Sequence, residues 1–234
     1  MASTTPRPSP APQGESGGYG GFDAHEMVIV HRAFRREMRL LGELVAAVAP
    51  GDTARAGILA GHFADVRTGL HNHHHGEDEL LWPPMLERAG GRQREIVRLM
   101  EEQHERVAAT LAEVEALVAR WRTTAAAADR DALVAALAAH HAVLVEHLDA
   151  EEAELLPLAE RFLTAKEWAA QGEHFLTSTP KSKLLKFLGM VLEDADERER
   201  AVLLGGMPAP ARLVWHVVGR PLYARTVRRV RGTT

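Results

Sequence analysis

The phrase His73-x-x-x-Glu77-x-x-x-Leu81-x-Pro83 recurs 74 residues later as His147-x-x-x-Glu151-x-x-x-Leu155-x-Pro157. A lone histidine precedes each copy, His31 by 42 residues and His104 by 43, so the chain holds one His…HisxxxGlu unit twice. Residues four apart lie one turn apart on the same helical face. A single such pair is ordinary surface chemistry. Two copies with matching upstream histidines and a matching Leu-x-Pro are not, because packing has no use for carboxylates buried beside imidazoles.

Outward from these phrases the pattern is helical. A first helix starts around Phe22-Asp23-Ala24-His25-Glu26-Met27, where Asp23 can cap, Glu26 can reach back, and Phe22 and Met27 can form a hydrophobic staple. Pro50-Gly51 stops it near Ala49. A second runs from Asp52 or Thr53 to about Ala89, with Pro83 and Pro84 expected to kink it or break its last turn. The third covers roughly Arg92 to Ala127. The fourth starts at Asp129 or Asp131 and reaches about Phe162. Short connections favour antiparallel neighbours. The expected fold is all-α: an up-down-up-down four-helix bundle over residues 22–163. Short helices over 164–234 are expected to pack on it, with capping boxes at Thr164–Glu167 and Asp194–Glu197. Residues 1–21, rich in Pro, Gly and Ser, read as a disordered tail.

In such a bundle, early positions on helices one and three meet late positions on helices two and four. His31, His73, Glu77, His104, His147 and Glu151 therefore fall in one interior layer. Four imidazoles and two carboxylates suit a borderline transition metal, where all-oxygen sites suit magnesium or calcium. Glu77 and Glu151 are the natural bridges between two cations. Iron is the economical choice, and the spacing alone would tolerate manganese or zinc. Of the other histidines, His74 and His75 are expected on other faces, solvated or between helices. His71 is expected to cap or pair locally, and His25 to lie at the surface. His62 and His140 share the faces of His73 and His147 and read as core residues deeper along the stripe.

These residues resemble the hemerythrin-like, or HHE, cation-binding domain. The resemblance spans about Phe22 to Leu163. It rests on His31 in VIVHRAFRRE, His73 and Glu77 in HHHGEDELLWP, His104 in MEEQHERV, and His147 and Glu151 in EHLDAEEAELLP. It implies a four-helix bundle with a non-haem di-iron centre of two iron ions, those six residues as metal ligands and the two glutamates bridging. The oxygen carriers of the family place a second histidine one turn after the third-helix ligand; here that position is Ala108. The site is one imidazole short unless His74 or another neighbour substitutes, which shifts weight from reversible oxygen carriage toward sensing, nitric oxide or peroxide chemistry, or iron handling.

The remaining features narrow the classes. Cysteine is absent, which excludes disulfides, thiolate metal sites and iron–sulfur clusters and fits a cytoplasmic location. No membrane span and no secretion signal is expected. The net charge of −4 gives no support for nucleic-acid binding, although residues 201–234 carry six arginines and no acid. Within that arm, Pro210 to Arg231 is basic and amphipathic. It is expected to pack its apolar face on the bundle, the other reading being peripheral contact with an anionic membrane. The leading functional expectation is a di-iron protein that binds or senses a small molecule (oxygen, nitric oxide or a redox change) or handles iron. The alternative is an enzyme that decomposes hydrogen peroxide at the same centre.

Overall fold

The computed structural model describes residues 19–232. Most of the tail expected at residues 1–21 thus lies outside the described residues. Its last residues are placed: the Gly20 N–H donates to the Leu163 carbonyl at 2.8 Å, and Arg88 lies over the Tyr19 ring. Among the described residues all regular structure is helical and there is no strand. The chain is an all-α protein.

Six α-helices and two π-helical turns make the first part. They are α1 (His25–Ala46), α2 (Thr53–Gly76), α3 (Trp82–Arg88), α4 (Arg92–Thr124), α5 (Ala127–Ala150) and α6 (Leu156–Phe162). A π-helical turn, Glu77–Leu81, joins α2 to α3, and a second, Glu151–Leu155, joins α5 to α6. Helix α1 packs on α2 and α5, and α4 packs on the same two, so the four long helices close a ring.

The sequence led us to expect Pro83 and Pro84 to kink the second helix or break its last turn, and Pro157 to interrupt the fourth; instead the helical course runs on through all three. A proline lacks an N–H and its ring crowds the carbonyl four residues back. Here the preceding turn widens instead. The Trp82 N–H reaches back to the Glu77 carbonyl ahead of Pro83, and the Leu156 N–H to Glu151 ahead of Pro157. The same device recurs ahead of Pro221, where the Arg220 N–H reaches Trp215. Helix starts also differ from expectation. Ala24, not Asp23, occupies the cap of α1 and offers no side-chain bond; Asp23 accepts from the His25 N–H. Helix α5 begins ahead of Asp129, which instead binds Arg120.

The remaining helices are α7 (Ala165–Ser178), α8 (Lys181–Glu193), α9 (Glu197–Gly205), α10 (Ala209–Val214) and α11 (Arg220–Arg231). The Thr164–Glu167 capping box forms; the second lies two residues later than expected, at Asp196–Glu199. Helix α7 packs on α2, α8 on α1 and α11, and α11 on α2. A buried ion network fastens them. Glu37 accepts from His62 at 2.8 Å and from Arg36, and Arg231 pairs with Glu193 at 2.6 Å and reaches Glu37. Trp215 and Val230 face inward, while Leu213, Val214, Val217 and Val218 stay exposed.

The apolar core is in two parts. The larger runs through Phe34, Met38, Leu41, Leu70, Val107 and Leu144; the smaller through Met27, Leu81, Trp82, Met85, Met100 and Leu155. His31, His73, Glu77, His104, His147 and Glu151 fall between them along their helices, a buried polar layer in a hydrophobic interior. The helix Ala127–Phe162 is by length and composition apolar enough to cross a membrane, against the expectation of none. That test is also passed by core helices, and this one buries His140, His147 and Glu151 against its neighbours.

Candidate metal centre

All six residues picked out by spacing come together, and a seventh joins them. His31, His73, Glu77 and Glu151 present donor atoms within 4.8 Å of one another, and so do His74, His104 and His147. The two glutamates tie the groups. Glu77 places Oε1 3.3 Å from His73 Nε2 and Oε2 3.6 Å from His104 Nε2, so its two oxygens serve opposite groups. Glu151 Oε2 lies 3.5 Å from both His31 Nε2 and His147 Nε2. Bridging carboxylates would sit in this way.

The donors face one another with nothing to share. Both oxygens of Glu77, both of Glu151, and Nε2 of His74, His104 and His147 are buried without a hydrogen-bond partner. Leaving one such group unpaired costs about 1–3 kcal/mol, more if charged, so seven in one layer mark a place built for something else. His31 Nε2 and His73 Nε2 meet at 3.1 Å.

The opposite ring nitrogens explain why the lone pairs point inward. His31 Nδ1 donates to Glu152 at 2.9 Å, His104 Nδ1 to Asp78 at 2.7 Å, and His147 Nδ1 to Gln103 at 3.2 Å. Each bond places a proton on Nδ1 and turns Nε2 to the interior, the orientation in which a neutral ring would ligate a metal. Gln171 steadies α2 by donating to the His73 carbonyl at 2.8 Å. Burial, then repulsion from neighbouring imidazoles, holds His73 and His74 well below the usual histidine range, and His147 is lowered to about 2. Burial, then Glu151 and Asp78, pushes Glu77 well above the carboxylate range; burial raises Glu151 too. Without a cation, burial thus favours the neutral forms of His73, His74, His147, Glu77 and Glu151. Neutral imidazoles are the form that ligates metal, and a cation would displace the carboxyl protons.

The histidine outside the predicted six is His74. It is buried, stacks on His104 at 4.3 Å and stands edge-on to His147 at 5.0 Å, so of the two expected placements the solvated one is corrected and the one between helices is what the structure has. Ala108, where the oxygen carriers have an imidazole, is exposed and lines the cavity outside His74. His71 and His75 stay at the surface. His25, half exposed, bonds Glu199 and ties α1 to α9. His62 and His140 are core residues held by Glu37 and Thr110, away from both groups.

The model of the hemerythrin HHE cation-binding domain matches residues 23–159. This chain belongs to the hemerythrin HHE cation-binding family. No curated protein and no solved structure matches it. The matched span contains every donor of the buried layer, and a metal-binding function, iron being the family's usual ion, follows from the two together.

Proposed function

We propose that this HHE-domain protein holds two non-haem iron ions and uses them to bind or sense a small molecule, or to handle iron. The observation that carries the reading is the pair of carboxylates whose unpartnered oxygens lie between two groups of unpartnered imidazoles. One cation would have His31 and His73, the other His74, His104 and His147, with Glu77 and Glu151 shared. In this reading the ring of α1, α2, α4 and α5 is an up-down-up-down four-helix bundle, and the protein works in the cytoplasm.

When bound, a ferrous or ferric pair supplies open coordination positions and accessible redox steps. The chain supplies the rest. Glu152, Asp78 and Gln103 hold three imidazoles in the ligating tautomer. The apolar layers on either side exclude bulk water and keep the carboxylates from being solvated. The His31–His73 side carries one imidazole fewer than the other, which leaves it the more open to an exogenous ligand. Among the described residues the acids that touch the layer from outside, Glu152 and Asp78, are engaged in holding His31 and His104, which favours binding or sensing over turnover. The exposed Leu213, Val214, Val217 and Val218 keep peripheral membrane contact by the C-terminal arm within the proposal.

Purified protein should carry about two irons per chain, with a charge-transfer absorption band of a bridged ferric pair. His73→Ala with His147→Ala should lose both. A stable spectral change on adding oxygen or nitric oxide supports the binder. Rapid oxygen evolution from peroxide supports the enzyme instead, and a wild-type chain without transition metal sinks both.

A further inference from the structure

The stretch His71-Asn72-His73-His74-His75 supplies two histidines to the buried layer and leaves two outside it. His71 and His75 stand one turn apart on the exposed side of α2 with rings parallel at 5.8 Å. They share a cavity with Asp78, Glu101 and Glu105. The cavity lies between α2 and α4, has a volume of about 490 Å³, and is floored by His74 and His104. Both floor residues are more than nine-tenths buried and have an Nε2 without partner. One side of the opening is the methyl of Ala108. Two of the three imidazoles of the His74–His104–His147 group thus line the cavity directly.

We propose that this cavity is the loading route for the metal, with His71 and His75 as an outer capture site for a divalent transition-metal cation. The inference rests on the two-cation reading of the layer beneath. Two imidazoles at i and i+4 form a chelating pair on one helical face. The carboxylates of Asp78, Glu101 and Glu105 around the mouth raise the local concentration of cations and repel anions, and such fields change association rates by about 10–1000-fold. Passage inward is a ligand exchange from exposed imidazoles to buried ones. His74 is the natural first acceptor, because it follows His71 by three residues on the same helix and lines the same cavity. Apart from Asp78, which holds His104 in place, none of the atoms at the mouth is needed to hold the cations once they are in the layer. The mouth should therefore govern rate and leave capacity alone.

The test is anaerobic loading of chelator-stripped full-length protein with ferrous iron, followed by absorbance, with final metal content measured after long incubation. His71→Ala/His75→Ala should load about tenfold or more slowly, yet reach the wild-type content and keep the wild-type helical signal. Glu101→Gln/Glu105→Gln should also slow loading and flatten its dependence on salt. Ala108→Phe, which plugs the opening, should slow it too. A second arm needs no loaded centre: in His73→Ala/His147→Ala, nickel titration should still find one site per chain, lost when His71→Ala is added. Wild-type rates in the His71/His75 variant overturn the capture site. A wild-type chain that takes up no metal overturns the two-cation reading instead, so the two failures are distinguishable.

Discussion

Glu152 and Asp78 each immediately follow a glutamate of the buried layer, and each crosses to the lone histidine of the other repeat. Asp78 in the first copy holds His104, and Glu152 in the second holds His31. For Glu152, burial opposes its charge, but the bonds from His31 and Arg35 win and keep it below the usual carboxylate range. Glu152→Ala should weaken iron binding by about 10–100-fold with helical content unchanged, and Glu152→Gln, which keeps an acceptor, should lose less. Competition against a chelator of known affinity decides it; wild-type affinity in the alanine variant would remove the positioning role. The six donors were legible because i,i+4 spacing, repeated, has a single geometric meaning. The acid after each glutamate was equally visible and went unread, because which helix it would reach depends on packing. His74 stayed undecided between solvent and a helix contact for a related reason. One residue past His73 is a turn of about 100°, read as leaving the site, but α2 borders α1 and α4 together, so His73 faces His31 while His74 faces His104.

At the scale of elements, the prolines and glycines decide how α2 is held. The π-helical turns at Glu77–Leu81 and Glu151–Leu155 follow from the proline downstream and would not by themselves mark a site, since Trp215–Gly219 has the same turn with its one histidine, His216, exposed and away from the buried layer. That outcome was not readable from the prolines alone: a break, a kink and a widened turn all relieve the same clash, and the tertiary core chooses. Buried Leu81 and Leu155 keep both halves in register. Helix α7 approaches α2 where Gly76 has no side chain. A methyl there would lie 2.1 Å from Gln171 Oε1 and 3.1 Å from the His174 ring. Gln171 is the residue that donates to the His73 carbonyl, so Gly76→Ala must displace it. We predict a loss of about 1–3 kcal/mol in urea unfolding, together with weaker iron binding, because the strain falls between His73 and Glu77. Unchanged stability and affinity would show that α7 yields freely. The helical class, the number of long helices and the Thr164 cap were readable from periodicity and capping residues; exact starts such as Ala24 and Ala126 were not, since no side chain caps them.

For the molecule as a whole, a polar layer between two apolar ones makes stability depend on what fills it. Metal-free, His73, His74 and His147 are lowered by burial first, and His140 is lowered to about 4 in the same way. The unfolded chain protonates these groups below about pH 6.5 and the folded chain does not, so they contribute stability above that value and lose it as pH falls toward their folded values. His140 alone corresponds to roughly 3 kcal/mol over the window from about 6.5 to about 4. Glu77 and Glu151, raised in the fold, act oppositely: their contribution is present below about pH 4.5 and is lost as pH rises through their folded values. Four histidines outweigh two acids, so metal-free protein should unfold at lower denaturant at pH 5 than at pH 7. A flat profile would mean the layer is hydrated and open. Bound cations should raise stability at pH 7 by mass action, since they need the neutral imidazoles already present and supply the charge the carboxylates lack. The most direct measurement is anomalous scattering at the iron edge from crystals of the loaded protein. The account predicts two peaks about 3.5–4 Å apart between the His31–His73 and His74–His104–His147 groups, with Glu77 and Glu151 spanning them; a single peak, peaks elsewhere, or none would contradict it.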